Sequence, residues 1–215
     1  MYVPAHFAAD DADEVIARLA GRSAGILITI DEDGVPVGTH LPILWDRERR
    51  VATGHIARAN SHWKQGAGVG LIVLSGAEAY VTPAWYPSKA EHGKTVPTWN
   101  YEAVHISGQV EWFDDAARLE AVVAELSRVH EQDRAEPWSI DDAPRPYIDA
   151  LLRGIVGVSL KAERIEAKRK LSQNKNEADF AGVERGLAAS GDPMAQDVAA
   201  LMRMARAAAD DPDGN

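Results

Sequence analysis

Several stretches of this chain combine cations, amides and aromatics in a way that no hydrophobic core requires. In Gly54-His55-Ile56-Ala57-Arg58-Ala59-Asn60, a guanidinium and an amide follow a strand-like run and precede Trp63. An Arg fork beside exposed backbone N–H groups can hold a phosphate through parallel charge-assisted bonds. The same two side chains can also close a turn, and residue types alone leave both uses open. Between Tyr80 and Lys89, Pro83 and Pro87 fix an irregular path for Trp85 and Tyr86. Aromatics in such a loop either plug a core edge or wall a pocket for a flat ligand. Val96-Pro97-Thr98-Trp99-Asn100-Tyr101 repeats the pattern ahead of the strand that carries His105. Arg164 to Lys175 then holds five bases and one acid around Leu171-Ser172-Gln173-Asn174. That stretch is either a solvated turn or an anion-binding edge.

Seven histidines are present and no cysteine, which excludes thiolate metal sites, disulfides and a cysteine nucleophile. His62 and His92 fall in expected loops and His130 on an acidic helix, all at the surface. His40, His55 and His105 sit on or at the ends of strands, and a single such His can ligate haem iron. No HExxH or paired-His spacing suggests zinc hydrolysis, and GxSxG, GxGxxG and Walker patterns are missing. No residue is assigned a catalytic role.

The elements that must position these groups read as mostly β. A helix is expected over residues 12 to 20, behind Asp10 and Asp11, because Val15, Ile16 and Leu19 recur at helical spacing. Ile26 to Ile30, the Asp31-Glu32-Asp33-Gly34 turn and alternating residues from Val35 to Trp45 predict a hairpin. Further strands are expected at Arg50 to Thr53, Val69 to Leu74, Glu78 to Thr82, Val104 to Phe113 and Ile155 to Ile165. Six or seven strands so spaced predict an antiparallel barrel, in a β-rich α+β chain. Asp114 should cap a helix carrying Leu119, Val122, Val123 and Leu126. Ten acids and three bases between residues 111 and 142 make its outer face a solvated one. Shorter helices are expected at Pro146 to Arg153 and Met194 to Ala209, with the last five residues fraying. Trp63, Trp85, Trp99 and Trp138 fall outside these elements, which points to a flat ligand site or an oligomer interface.

Composition narrows the partners. With 33 acids against 23 bases the net charge is −10, which repels a phosphate backbone and makes direct DNA binding unlikely. The longest apolar run, Val69 to Leu74, is far short of the ~20 residues that a membrane helix needs. The opening residues lack the features of a secretory signal, so a cytoplasmic protein is expected.

Several multi-residue motifs together resemble one family. They are Tyr2-Val3-Pro4 with His6-Phe7, Thr39-His40-Leu41-Pro42, Gly54-His55 with Arg58-Ala59-Asn60 and Trp63, Tyr80 to Lys89, Pro97 to Tyr101 with Val104-His105, and Lys170-Leu171-Ser172-Gln173-Asn174. In this order, from residue 1 to about residue 187, they are similar to the PaiB-type FMN-binding negative transcriptional regulators. Ser61 departs from an expected proline and Lys175 from an expected arginine. The resemblance implies a six-stranded antiparallel Greek-key split barrel with peripheral helices over residues 1–187, followed by a C-terminal helix and frayed tail over 188–215. It also implies a homodimer with FMN at the subunit interface. Arg58 and Asn60 would take the phosphate, with Lys89, Thr98, Trp99 and Asn100 as neighbours and Lys170, Gln173 and Asn174 completing the site. The implied role is a flavin-linked regulator or sensor. Two alternatives stay open: a flavin-dependent oxidoreductase, and an enzyme binding haem b through His55 or, as second choice, His40.

Overall fold

The computed structural model describes residues 1–210, so the expected fraying of the last five residues lies outside them. Seven strands are formed: β1 (Gly25–Ile30), β2 (Pro36–Leu41), β3 (Leu44–Asp46), β4 (Val51–Ala57), β5 (Gly68–Val81), β6 (Thr98–Phe113) and β7 (Ile155–Lys170). Six helices accompany them: α1 (Ala12–Ala20), α2 (Ser88–His92), α3 (Ala116–Glu131), α4 (Arg145–Arg153), α5 (Glu177–Ala188) and α6 (Pro193–Asp210). The strands form one sheet in the order β2-β1-β5-β6-β7-β4-β3. The pairs β1/β2, β1/β5, β3/β4 and β4/β7 are antiparallel. An antiparallel sheet with helices, an α+β fold, agrees with the expected class.

The strand count is corrected from six to seven, and one residue explains the difference. Val35 to Trp45 looked like a single hairpin arm, but Pro42 has no N–H to donate and ends the ladder. β2 pairs with β1 at one end of the strand order, while β3 pairs with β4 at the other. Strand lengths also differ from expectation. Val69–Leu74 and Glu78–Thr82 merge through Ser75 and Gly76 into the 14-residue β5. β6 starts at Thr98 rather than Val104, and β7 continues to Lys170. Pairing with long neighbours outweighs the local turn propensity of Ser and Gly. Two segments read as loops, Thr98–Tyr101 and Lys168–Lys170, are therefore strand.

Two compact units divide the chain, with β5, β6 and β7 each contributing to both. One comprises Asp11–Ser75 and Val104–Glu166. Its β1–β2 turn is held by Asp31, whose carboxylate accepts from the N–H groups of Asp33 and Val35 at 3.1 and 2.7 Å. Leu27, Leu41, Ile56, Ile72, Leu74, Ile106 and Leu160 are among its buried strand residues, with Ile43 buried between β2 and β3. α1 begins where Asp11 accepts from the Glu14 N–H at 3.0 Å, and it buries Val15, Ile16 and Leu19 as its spacing predicts. The N-cap of α3 is Asp115, one residue beyond the expected Asp114. Leu119, Val122 and Leu126 of α3 pack with Phe113, Ile148 and Leu152.

The other unit comprises Met1–Asp10, Gly76–Ala103 and Ala167–Asn215. Its core joins Ala79, Val81, Tyr86 and Leu171 to Val183 and Leu187 of α5 and Val198, Ala199 and Met202 of α6. The sequence reading missed α5, whose mixed composition hides its face. It lies so close to the Trp85 turn that a Cβ at Gly182 would meet the Trp85 carbonyl at 2.1 Å, and one at Gly186 the indole at 2.4 Å. Only glycine permits that approach.

Candidate functional site

The expected site residues fall into both units. In the unit of residues 11–75 and 104–166, Arg58 follows the end of β4 as predicted, but its donors are engaged. Nε donates to the Arg153 carbonyl at 2.9 Å and Nη2 to the Ile155 carbonyl at 3.0 Å, while Asp114 lies 3.7 Å from Nη1. These carbonyls flank the C-terminus of α4, where a cation is electrostatically favourable. The Asn60 amide is engaged too. Its oxygen accepts from the His62 N–H at 3.0 Å and its nitrogen donates to Thr39 Oγ1 at 3.1 Å.

His62 corrects an expectation, since it is 1% exposed rather than at the surface. It sits in the 3-10 turn Ser61–Gln65 and lies between Thr29 (Nε2, 2.8 Å) and Thr39 (Nδ1, 2.9 Å). Thr29 gives its one hydroxyl proton to Gln65 at 2.6 Å, so Thr29 Oγ1 must accept from His62 Nε2–H. Thr39 Oγ1 already accepts from Asn60, leaving its proton for Nδ1. The network therefore specifies the neutral Nε2–H tautomer, and burial pushes the His62 pKa down in the same direction.

The two haem-ligand candidates differ in setting. His55 lies within β4 opposite Gly157, half-buried, with its pKa lowered by burial and its buried Nδ1 without a hydrogen-bond partner. The Phe113 ring occupies the space where a Gly157 Cβ would stand, 2.2 Å away, so the neighbourhood of His55 is apolar. His40 is exposed on β2. Among the described residues no cluster of three His, Asp or Glu side chains could hold a metal ion.

In the second unit, β6, β7 and the turn after β7 bring Thr98, Asn100, Lys170 and Asn174 to one cavity of about 130 Å³. Lys170 Nζ donates to Thr98 Oγ1 and to the Trp99 carbonyl. Its pKa is lowered, first by burial and then by the charges of Lys168 and Lys175. Among the described residues none of these three lysines forms an ion pair with a carboxylate, although the charge of Lys175 acts on the buried Asp179. Asn100 is fully buried and donates to Ser172 Oγ at 3.0 Å, fixing the turn in which Ser172 adopts a left-handed φ of 66°. Gln173 closes the same turn, accepting from the Leu171 N–H at 2.7 Å and donating to the Arg169 carbonyl at 2.6 Å. Asn174 is exposed. Beneath the turn, Arg169 forms a 2.7 Å ion pair with the buried Glu102.

Trp99 is half-exposed and meets the similarly exposed Tyr80 edge-on at 6.0 Å. Lys89 is exposed on α2. Five lining residues, Phe7, Val96, Pro97, Ser172 and Lys175, were not among the expected site residues. Lys175 also stands 4.9 Å over the ring of Tyr86, whose buried hydroxyl has no hydrogen-bond partner. The available signal was the run of lysines: Lys168 and Lys170, two apart on a strand, share a face.

A larger cavity of about 770 Å³ lies in the first unit, walled by α1, the β3–β4 hairpin and α3. None of the expected cofactor residues lines it, and its arginines Arg49, Arg118 and Arg128 are paired with Asp46, Glu111 and Glu125. The 130 Å³ cavity, by contrast, offers ammonium, hydroxyl and amide donors suited to a phosphate group. It is smaller than the roughly 300 Å³ at which small-molecule pockets begin, so it has room for a phosphate-sized group and not for a whole nucleotide cofactor.

Comparison with known proteins bears on the family and the fold. The protease synthase and sporulation protein PAI 2 of Bacillus subtilis is 33% identical over 206 residues, covering 94% of this chain and 96% of that protein. Among solved structures, conserved hypothetical protein Rv2991 from Mycobacterium tuberculosis has a TM-score of 0.56 at 15% identity, covering 82% of this chain and 95% of its own. An FAD and heme binding protein from Mycobacterium smegmatis has a TM-score of 0.55 at 13% identity, covering 80% and 78%. At these identities the two structures show a shared fold. A family model described as "Putative FMN-binding domain" matches residues 1–164, and FMN is the cofactor expected from the sequence. With three quarters of its length in that match and a full-length relative one third identical, the chain belongs to this FMN-binding family.

Proposed function

We propose that the chain is a PaiB-like, flavin-linked regulator or sensor. In this reading it is a cytoplasmic homodimer of split barrels that holds FMN at the subunit interface by its phosphate. The observation that carries the reading is the cavity in which Lys170 and Lys175, neither ion-paired with a carboxylate among the described residues, stand beside Thr98 and Asn174. A phosphate dianion there adds negative charge beside Lys170, and Lys170 and Lys175 bind it while Thr98 and Asn174 orient it. Asn100 and Gln173 act behind them by fixing the turn. Tyr80 and Trp99 present an exposed aromatic edge suited to a flat ring or to a second copy. Lys89 remains a candidate neighbour of the cofactor. Arg58 and Asn60 contribute by holding the β4 turn, since their donors are engaged. Bound FMN would supply one- and two-electron redox chemistry at its ring.

Titration with FMN and with riboflavin tests the reading. FMN should bind at least tenfold more tightly than riboflavin, because only FMN carries the dianion. Equal affinities, or no binding of either, would overturn it. A second reading, haem b on His55, draws on the orphaned and buried Nδ1 of that residue, which a bound group would satisfy. Hemin titration separates the two: a haem band near about 400 nm that is lost in His55→Ala supports haem, whereas absorption near about 450 nm supports flavin.

A further inference from the structure

We infer that the N-terminal segment Tyr2–Phe7 is a wall of the anion cavity and that Lys168 is the positioning residue that holds it there. The inference rests on the phosphate reading above and extends it to residues that do not touch the ligand. Lys168 is a charged side chain with only 8% exposure. Its ammonium donates to the Tyr2 carbonyl at 3.1 Å and lies 5.8, 5.9 and 5.3 Å from the ring centres of Tyr2, Phe7 and Tyr101. Such a box satisfies a cation through one carbonyl and the negative faces of rings, without spending a carboxylate on it. A buried ammonium with no carboxylate ion-paired to it among the described residues retains its field, and that field reaches Lys170.

The same contacts tether the segment. Ala8 bridges to Lys168 in antiparallel fashion, and the Ala9 N–H donates to the Ala167 carbonyl at 3.2 Å. These bonds carry the chain along the end of β7 and set down Phe7, 6% exposed, as a lining residue of the cavity beside Lys170. Lys168 thus does two things for a bound anion. It fixes the apolar wall that keeps water from Lys170, and it adds positive charge behind that wall. A carboxylate in place of one of the rings would have neutralised the second effect.

Lys168→Met keeps the aliphatic stem and removes the charge, and Lys168→Arg keeps the charge. Inorganic phosphate binding is measured by calorimetry, and the Lys170 titration by NMR of 13C-methylated lysines. In Lys168→Met, phosphate affinity should fall about 5- to 20-fold and the Lys170 pKa should rise toward its ordinary value, since a like charge has gone. Lys168→Arg should restore both. A purely structural role would lower the melting temperature and leave the Lys170 titration in place. Phosphate affinity within twofold of the parent in Lys168→Met overturns the inference. Should that variant not fold, Phe7→Ala carries the test: by opening the wall it should weaken phosphate several-fold, and an unchanged affinity overturns the claim. The two readings fail separately. A parent that binds phosphate but not FMN refutes the flavin reading and leaves this one standing, whereas FMN binding that is indifferent to Lys168→Met refutes this one alone.

Discussion

Arg58 and Lys170 are both cations at strand ends, and a phosphate site was expected to use both. Their surroundings differ in what is left to bind. The Arg58 fork is directed at two backbone carbonyls near the end of α4 and has Asp114 nearby, so its capacity is used by the chain itself. Lys170 is hydrogen-bonded to a hydroxyl and a carbonyl, with two further lysines in its field and, among the described residues, no acid ion-paired to any of the three. A cation's availability depends on the charge balance around it, because an ion pair already made must be broken before a ligand can use it. Composition shows the number of cations and cannot show which are spent.

The sharpest way to break the comparison is to damage the Arg58 side and watch the ligand. His62→Leu removes the ring that joins Thr29 to Thr39 and leaves both hydroxyls short of a partner in a buried place. About 2 to 4 kcal/mol of stability should be lost in chemical denaturation, with FMN affinity of the folded protein unchanged within about twofold. A matching loss of FMN affinity would mean that the 58–65 turn belongs to the cofactor site.

Next comes Lys170→Ala, which removes a charge-assisted donor from the cavity. FMN binding should weaken by about 1.5 to 3 kcal/mol, roughly 10- to 150-fold, while riboflavin binding stays as it was. Arg58→Ala is the paired control. It should cost about 1 to 2 kcal/mol of stability through the carbonyls it leaves exposed, and less than threefold in FMN affinity. If the two variants exchange these effects, the phosphate belongs with Arg58.

The smallest effects are those of pH. Burial holds His55 and His62 below the ordinary imidazole value, so the unfolded chain binds protons more readily than the native one as pH drops below 6.5. Stability contributed by these neutral histidines is complete above that pH and declines through acid, and His62→Gln should flatten the slope of melting temperature against pH. Lys170 behaves in the opposite sense for binding. Burial and its lysine neighbours lower its pKa, so FMN affinity should hold at neutral pH and fall on the alkaline side earlier than an ordinary lysine would allow. An affinity flat through that range would remove Lys170 from the site.

Much of this was legible in the chain itself. The repetition of Val15, Ile16 and Leu19 is enough to specify α1, because a helix buries residues at a local spacing. The acidic face of α3, the Asp31 turn and the antiparallel class are likewise local in origin. The ordered motifs from Tyr2 to Asn174 were sufficient for the family and for FMN, and they named four of the cavity's residues: Thr98, Asn100, Lys170 and Asn174. Long-range pairing decided the rest. It drew Thr98 and Lys170 into strands, sent β2 and β3 to opposite ends of the order around Pro42, and buried His62 between two threonines about 23 and 33 residues away. It also chose which cations were consumed, since Arg58 meets carbonyls 95 and 97 residues distant while Lys168 meets the Tyr2 carbonyl 166 residues distant and has no ion-paired acid among the described residues. Helix period and turn chemistry are properties of neighbouring residues and can be read along the chain. Solvation and charge pairing belong to whatever the fold brings into contact, and only the tertiary structure sets them.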